Sequence, residues 1–271
     1  MIFAFFCRFE EIIIKMMLRS IAKRHQLIIN KLNEQGFVNV NELSEELGVS
    51  LVTIRKDLKI LESRNLLHRT HGSASISDPF IIDRNIHDKE KIKVEEKQRI
   101  AKAAARLIEP NDSIILGSGS TILELARQIK AIQPLTVVTA SLNLSQVLNL
   151  NPDIEVHQLG GVIRKSSNSA VGPFAEKMIA GYSCKKFFLG VDGIDPEFGL
   201  TTTNSLEASL NQQMISSSQE IIVLADSSKF GQRGFGKICD FSQIDIIITD
   251  MGVNDSIVKK IEMNGVEVIK V

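Results

Sequence analysis

Cysteine is scarce in this sequence and net charge is absent, and both features exclude classes of protein. The 271 residues include three cysteines, Cys7, Cys184 and Cys239, which are far apart and lack the paired spacing of a metal site. We interpret them as ordinary thiols in a reducing compartment and expect neither a metal nor a cofactor. A formal net charge of zero argues against a nucleic-acid binder when the chain is taken as a whole.

Long hydrophobic runs are lacking as well. No stretch reaches about 18 uninterrupted apolar residues, so we expect no transmembrane helix and no membrane partner. The first residues are apolar but are broken by charges, and they show neither a basic leader nor a small-residue cleavage site. We expect a cytoplasmic protein. Residues 1–20 are interpreted as an extension, with translation beginning at Met1, Met16 or Met17.

Length and composition favour two globular domains. A chain of 271 residues is long for one ordinary domain, and 44% hydrophobic with 24% charged residues is typical of globular proteins. No internal repeat or low-complexity segment interrupts it. We predict a first domain at residues 21–76, a polar, proline-containing linker at 77–93, and a second domain at 94–271.

Residues 38–57 have the pattern of a helix-turn-helix. Asn41 is expected to cap a first short helix, and Gly48 supplies a tight turn. Ser50 then caps a second helix that starts at Leu51. The alternative is a plain helical hairpin with a solvated charged face.

The second helix favours DNA binding over that alternative. Opposite its apolar stripe it carries small and cationic groups, as a helix needs for close approach to a major groove, and we place Asp57 on this same polar face. Five Lys and Arg residues against two acidic ones make residues 50–76 locally basic, and L-L-H-R-T-H-G follows as a strand turning into a basic wing. The expected DNA-binding residues are Ser50, Val52, Thr53, Arg55, Lys56, Arg69 and His71.

Short apolar runs alternate with helical stretches after residue 94. Such runs, bounded by Gly, Asp and Ser, predict a Rossmann-like α/β domain whose mostly parallel sheet is covered by helices on both faces. Ligands of such sheets bind beyond the carboxyl ends of the strands. The predicted strands are 113–116, 135–139, 154–159, 186–191, 220–225, 244–249 and 266–271.

The loop after the first of these strands, L-G-S-G-S-T at 116–121, is suited to an anion. Two glycines allow close backbone approach, three hydroxyls can donate, and the following helix start offers free amides and a positive dipole end. The loop lacks the Lys of a Walker loop and the third Gly of a dinucleotide motif. A Gly/Ser-rich turn without a ligand is the alternative.

Four further strand-end loops place hydroxyls, glycines or single charges at the same predicted rim, which favours a small polar anionic ligand over that alternative. Arg164 and Lys229 are the cations available for a phosphate, and Asp192, Asp195 and Glu207 can accept sugar hydroxyl protons. The expected effector-binding residues are Gly117, Ser118, Gly119, Ser120, Thr121, Ser141, Gly161, Arg164, Asp192, Gly193, Asp195, Glu207 and Lys229.

These motifs, in this order, resemble the DeoR-type transcriptional repressors of sugar metabolism, over about residues 21–250. The N-terminal match is V-N-V-N-E-L-S-E-E-L-G-V-S-L-V-T-I-R-K-D-L followed by L-L-H-R-T-H-G. The C-terminal match comprises L-G-S-G-S-T, L-G-G-V-I-R, F-F-L-G-V-D-G-I, G-L-T-T-T-N and L-A-D-S-S-K-F-G.

The resemblance implies a repressor that binds double-stranded operator DNA through a winged helix and is released by a phosphorylated sugar or a related metabolite. It also implies a homo-oligomer, a dimer or a tetramer. Two positions depart from the family pattern: Ser73 stands where a second wing glycine is common, and Ala140 stands where the family often has Asn. We expect the first to alter the wing and the second to remove a ligand contact.

The second half also resembles ribose-5-phosphate isomerase, which shares the G-S-G-S-T-type loop and a D-G-x-D segment. An isomerase carrying a DNA-binding module is therefore the rival hypothesis. Asp195 and Glu207 remain as carboxylates, but the P-E-F-G-L-T-T-T-N loop between them has no Lys to stabilise a developing oxyanion. We favour a binding site without catalysis. A purely structural oligomerisation domain would leave the Gly/Ser loops unexplained.

Overall fold

The chain forms two units with separate hydrophobic cores, Met1–Pro79 and Phe80–Val271. The computed structural model describes residues 20–35, 37–64, 66–69, 72–75, 83–130 and 134–271.

The first unit combines three helices with a small antiparallel sheet. Its elements are α1 (Ile21–Gln35), β1 (Phe37–Asn39), α2 (Val40–Leu47), α3 (Leu51–Ser63), β2 (His68–Arg69) and β3 (Ser73–Ser75). The strands pair antiparallel in the order β1-β3-β2, so β3 lies between the other two. Apolar side chains from the three helices, β1 and β3 meet in one core, among them Ile28, Leu43 and Leu58.

The predicted helix-turn-helix is confirmed as α2 and α3. Ser50 caps α3, because its side chain accepts a hydrogen bond from the Thr53 amide, and Gly48 makes the turn at φ +60°. The prediction that Asn41 caps α2 is wrong. Asn39 is the cap, and its side-chain oxygen accepts from the Asn41 amide at 2.7 Å, because the helix begins one residue before Asn41.

The placement of Asp57 on the exposed face of α3 is also wrong. Asp57 is buried against α1, where Arg24 donates two hydrogen bonds to its carboxylate, from Nε at 2.5 Å and from Nη2 at 2.9 Å. Nε2 of His25 lies 3.1 Å from the same carboxylate. The hydrogen bonds and charge of Asp57 raise the pKa of Arg24 above its ordinary value, so this buried pair stays charged and ties α3 to α1.

The wing hairpin accommodates Ser73 without strain. Among the described residues of this hairpin, Gly72 is the one with a positive φ, +88°, and Ser73 is the first residue of β3, paired with Asn39. The expected distortion at Ser73 is therefore absent, because the residue that needs the left-handed region is the glycine before it. His71 lies outside the described residues.

The second unit is built on a seven-stranded sheet whose adjacent strands are all parallel. The predicted strands are all confirmed, with ends that shift by up to two residues. They are β4 (Ser113–Leu116), β5 (Leu135–Thr139), β6 (Ile154–Gln158), β9 (Cys184–Gly190), β12 (Ser218–Leu224), β14 (Ile246–Thr249) and β15 (Glu267–Lys270).

Both faces of this sheet are covered, because the successive residues 114–116 of β4 and 186–189 of β9, which point alternately to opposite faces, are buried. The helices are α4 (Ile86–Glu90), α5 (Val94–Ala105), α6 (Ser120–Gln128), α7 (Leu142–Leu148), α8 (Pro173–Ile179), α9 (Ser205–Ser216) and α10 (Asp255–Glu262). One face of the sheet packs against α5, α6 and α7. Burial raises the pKa of the Cys184 thiol, and burial with the nearby Asp240 raises the pKa of Cys239 to about 12, so both thiols stay protonated.

Two smaller sheets complete the second unit. The hairpin of β7 (Val162–Arg164) and β8 (Ser169–Val171) is antiparallel. The other sheet contains β10 (Gly193–Asp195), β11 (Gly199–Thr202) and β13 (Gly236–Cys239).

The stretch 77–93, which we predicted to be a linker, contains α4. Asn85 caps this helix and Ile86 is buried, so the latter part of the stretch belongs to the second unit.

The order of the main sheet, β15-β14-β12-β9-β4-β5-β6, contains one reversal of chain direction. From β4 the chain proceeds outward through β5 and β6, then returns to place β9 on the other side of β4. The loops after β4 and β9 therefore diverge and leave a crevice at the carboxyl ends of these two strands. In open parallel sheets this is where ligands bind.

We predict that Asp57→Ala destabilises the first unit by about 3–5 kcal/mol, because it leaves the Arg24 guanidinium buried without its carboxylate. Amide hydrogen exchange of α1 and α3 in the full chain measures the loss. Lys59→Ala, on the exposed side of the same helix, is the control and changes stability by less than about 0.5 kcal/mol. Unchanged exchange in the Asp57 variant would show that the pair does not hold the helices together.

Candidate functional site

A cavity of about 60 Å³ lies at the reversal between β4 and β9. The loops after these two strands form part of its wall, and α4, the β7–β8 hairpin, β11, α9, β12 and the 3₁₀ turn at Ser227–Lys229 supply the rest. Eight of the residues that we expected to bind an effector line it: Ser118, Gly119, Ser120, Thr121, Arg164, Asp192, Glu207 and Lys229.

The loop after β4 presents backbone donors to the cavity. Gly119 precedes α6 at φ +130°, a conformation that favours glycine, and no side chain caps the first amides of the helix. A side chain at Gly119 would point into open space, since no other atom lies within 4 Å of the Cβ position. Unpaired amides and the positive end of the helix dipole give this wall an affinity for anions.

Gly190, which we did not predict as a site residue, allows the loop after β4 to lie close to the end of β9. A Cβ at Gly190 would lie 2.6 Å from the carbonyl oxygen of Ser118, a contact too close for any side chain. The end of β9 can therefore lie directly against the loop after β4. The sequence signal was present in F-F-L-G-V-D-G-I, but only the pairing of β4 with β9 shows what the glycine faces.

Lys229 brings an uncompensated cation to the cavity. It ends the 3₁₀ turn that Asp226 caps, and among the described residues no carboxylate forms an ion pair with its ammonium group. Its positive charge nevertheless helps to lower the pKa of Asp192. An unpaired ammonium beside free amides is suited to a phosphate.

Arg164 is the second cation, and it is already occupied. Nη1 lies 2.9 Å from Oε2 of Glu207, and Nη2 lies 2.5 Å from Oδ2 of Asp83. The hydroxyls of Ser169 and Thr202 each donate to Glu207 at 3.3 Å. Glu207 is thus held by one guanidinium and two hydroxyls at the cavity wall.

Lys89 is a third cation at the cavity, from the stretch predicted as linker. Its Nζ donates to Oδ1 of Asp192 at 2.7 Å, and Thr202 donates to Oδ2 at 3.0 Å. Burial by itself would raise the pKa of Asp192. The charge and hydrogen bond of Lys89, with the charge of Lys229 and the hydroxyl of Thr202, outweigh it and hold the pKa below its ordinary value.

Lys97 fixes the end of α4. Its buried Nζ donates to the carbonyl oxygens of Lys89 and Ile92, each at 2.5 Å. Burial lowers the pKa of Lys97, which the nearby charge of Asp226 partly counteracts. This bonding fixes the backbone from which the Lys89 side chain reaches Asp192.

Five predicted effector residues do not line the cavity. Asp195 pairs with Arg233 at 2.6 Å and accepts the amides of residues 197 and 198, so it stabilises the hairpin of β10 and β11. Ser141 caps α7. The remaining three are glycines at close backbone contacts within the domain: Gly117, Gly161 and Gly193.

The sequence analysis missed several cavity residues. No sequence motif marks Lys89 as a site residue, although Asn85 before I-H-D-K-E is a recognisable start of a helix. Others lie in the β7–β8 hairpin, β11 and α9, which only tertiary structure brings to the cavity: Ser167, Ser169, Thr202, Leu210, Asn211 and Met214.

In the first unit, α3 exposes the side chains expected at DNA. Val52, Arg55 and Lys56 are exposed, whereas Thr53 is half-buried and its hydroxyl lies 2.9 Å from that of Ser50. Arg69 pairs with Glu62 across 3.6 Å. An exposed basic helix face behind a tight turn is the geometry of a DNA reader.

Among the described residues, no group of three or more His, Cys, Asp or Glu side chains is arranged to hold a metal ion. None of the helices that the structure describes combines the length and apolar character that crossing a membrane requires.

A helix-turn-helix unit joined to an α/β unit, whose cavity is lined by backbone amides and cations suited to an anion, defines a ligand-responsive transcriptional regulator. Family models match both parts: a DeoR-like helix-turn-helix domain over residues 24–80, and the DeoR C terminal sensor domain over residues 92–251. The chain belongs to the DeoR family of transcriptional regulators.

Individual relatives agree with this assignment. A protein of Escherichia coli O157:H7, named for transcriptional repression of the aga operon, is 38% identical over 92% of this chain and 94% of its own. The lactose phosphotransferase system repressor of Staphylococcus epidermidis is 34% identical over 89% of this chain and 96% of its own. Among solved structures, ribose 5-phosphate isomerase A from Methanocaldococcus jannaschii shows a TM-score of 0.39 and 18% identity, covering 51% of this chain and 55% of its own.

We predict that Lys89→Ala raises the pKa of Asp192 from its lowered value, because burial then acts without the strongest opposing charge. In the wild type, the stabilisation from this pair is complete above the unfolded pKa of about 4 and is lost as pH falls through the lower native pKa. The variant therefore lacks part of this stabilisation at neutral pH, and its stability falls less than that of the wild type as the pH is lowered.

Carboxyl NMR titration of Asp192 and thermal unfolding between about pH 3 and 6 measure both effects. Lys91→Ala removes an exposed charge from the same segment and serves as the control. A titration curve of Asp192 that is identical in all three proteins would contradict the proposed role of Lys89.

Proposed function

We propose that this regulator represses carbohydrate-metabolism genes by binding operator DNA through α3 and the wing. The exposed Val52, Arg55 and Lys56 at the start of α3 support this, together with the basic character of the surrounding sequence. Arg55 reads a base edge and Lys56 neutralises a nearby phosphate. Arg69 and His71 contribute from the wing.

We further propose that a phosphorylated sugar binds in the cavity of the second unit and weakens operator binding. The observation that carries this proposal is the convergence of uncapped α6 amides and the unpaired Lys229 on one small cavity. The phosphate binds to this wall. Asp192 and Glu207 accept hydrogen bonds from the sugar hydroxyls.

The arrangement of charges does not favour the isomerase alternative. A proton-transferring carboxylate needs access to the substrate and a partner that stabilises the oxyanion. Asp195 is committed to Arg233, and Glu207 is bonded by Arg164, Ser169 and Thr202. The loop between the two carboxylates contributes hydroxyls and no lysine.

Homo-oligomerisation and a cytoplasmic location are part of the proposal. A dimer or tetramer would present two helix-turn-helix units to two half-sites of one operator. Light scattering of the purified protein, with and without a duplex site, tests the oligomeric state.

A thermal-shift screen tests the sensing proposal directly. Sugar phosphates are compared with the same sugars without phosphate, because a ligand that binds the folded state raises the unfolding temperature. We expect stabilisation by at least one sugar phosphate and none by its unphosphorylated counterpart. Equal stabilisation by both would show that the phosphate group does not contribute to binding.

For the DNA half, we predict that Arg55→Ala loses about 1–3 kcal/mol of discrimination between a selected site and a scrambled duplex, because one base contact is lost. The affinities are measured by fluorescence anisotropy on sites recovered from a random duplex pool. Binding of the wild type should also weaken steeply as salt is added.

Arg64→Ala is the matched control for Arg55, since it removes the same exposed charge from the end of the same helix. It should leave discrimination unchanged. If both variants discriminate like the wild type, Arg55 makes no base contact. If no duplex is enriched at low salt, the DNA-binding proposal fails.

For the sensing half, we predict that Lys229→Ala and Gly119→Val each keep operator affinity but lose the response to the stabilising sugar phosphate. The first removes the unpaired cation, and the second places a side chain in the cradle at a glycine conformation. In cells, both variants should behave as super-repressors.

Operator affinity with and without that ligand gives the readout, and exposed Lys177 supplies the matched control Lys177→Ala. The control should respond like the wild type. Release of DNA from Lys229→Ala at the wild-type ligand concentration would show that the phosphate is held elsewhere.

A further inference from the structure

The first described residues of the second unit are bonded to the cavity wall. We call residues 83–92 the connecting segment, because they follow the first unit along the chain. Asp83 pairs with Arg164 at 2.5 Å and accepts from the hydroxyl of Thr203 at 3.1 Å. The Ile86 amide donates to the carbonyl oxygen of Ser166 at 2.7 Å.

Arg164 is therefore shared between the connecting segment and the cavity. It faces two carboxylates, Asp83 from the connecting segment and Glu207 from α9. The Arg164 side chain is largely buried at 11% exposure, whereas that of Asp83 is 40% exposed. Asp83 is thus the more accessible and more easily exchanged of the two partners.

We propose that Asp83 is an internal competitor for the effector phosphate, and that phosphate binding at Arg164 detaches the connecting segment from the cavity wall. The inference rests on the proposed sensing function. It adds that the effect of binding reaches the DNA-binding unit through the connecting segment. A guanidinium binds a phosphate through the same donors that bind a carboxylate. An incoming dianion takes the Nη2 donor from Asp83, while Nη1 stays with Glu207.

Release of Asp83 loosens the stretch that continues into the first unit. The later part of the connecting segment stays attached through the Ile86 amide, the Lys89–Asp192 and Glu90–Arg127 pairs and the bonds from Lys97, so it is the start of the segment that is freed. By linkage, whatever weakens the Asp83–Arg164 pair must strengthen phosphate binding, and phosphate must weaken the pair to the same extent. This reciprocity makes the proposal testable without knowledge of the effector.

The test compares wild type with Asp83→Asn, using inorganic phosphate as the probe. Removing the competing charge should tighten phosphate binding about three- to tenfold, the range of a partly exposed ion pair. The variant should also show, without phosphate, the faster amide exchange of the connecting segment that the wild type shows only with phosphate. Calorimetry and hydrogen exchange on the full chain give the two readouts.

Two matched variants separate competition from general damage. Asp88→Asn changes an exposed carboxylate in the same segment and should bind phosphate like the wild type. Asp83→Glu keeps the charge and should return affinity towards the wild-type value. A merely structural role for Asp83 would lower stability in Asp83→Asn without tightening phosphate binding.

The outcomes distinguish this inference from the proposed function. If phosphate binds the wild type and Asp83→Asn equally, competition is excluded and the sensing site stands. If phosphate binds the wild type but exchange in the connecting segment does not change, the route through Asp83 is excluded. If phosphate does not bind the wild type at all, the sensing site and the inference fail together.

Discussion

The site depends on the parallel arrangement of the main sheet. Parallel pairing places the carboxyl ends of all seven strands at one edge, and the reversal between β4 and β9 opens a crevice there. The uncapped start of α6 and the segment from Gly190 to Asp192 flank this crevice because of their strand positions. The absence of a side chain at Gly190 then allows the two loops to approach within van der Waals distance.

Around that crevice, most charged groups already hold one another. Lys229 has no carboxylate partner among the described residues, but Lys89 pairs with Asp192, and Arg164 bridges Asp83 and Glu207. A ligand that reaches these pairs must exchange them. Such exchange suits a sensor, because a ligand that replaces an ion pair also changes which structural elements are bonded to each other. The same site suits a catalyst poorly, because the loop between Asp195 and Glu207 has no lysine to stabilise a developing oxyanion.

The DNA-binding unit uses buried charge in a different way. Asp57 occupies the inner face of α3, where Arg24 and His25 of α1 meet it, and the outer face is left to exposed residues. The pair fixes the orientation of α3 in its own unit, while Val52, Arg55 and Lys56 remain available to DNA. An apolar pair would pack equally well, but a bidentate guanidinium and carboxylate also define the rotation of the helix.

The sequence by itself determined the strands, the helix-turn-helix and the Gly/Ser-rich loop that lines the cavity. Strand runs such as 113–116, the cap at Ser50 and the turn at Gly48 are local features, because hydrogen bonding and burial over a few residues decide them. Tertiary structure alone decided which charges meet. Lys89 and Asp192 are 103 residues apart in the sequence. Asp57 is of a charged type that is usually exposed, but it is buried between α3 and α1. Pairing between distant charges leaves no local pattern, since it depends on the distance between elements that only the packed fold brings together.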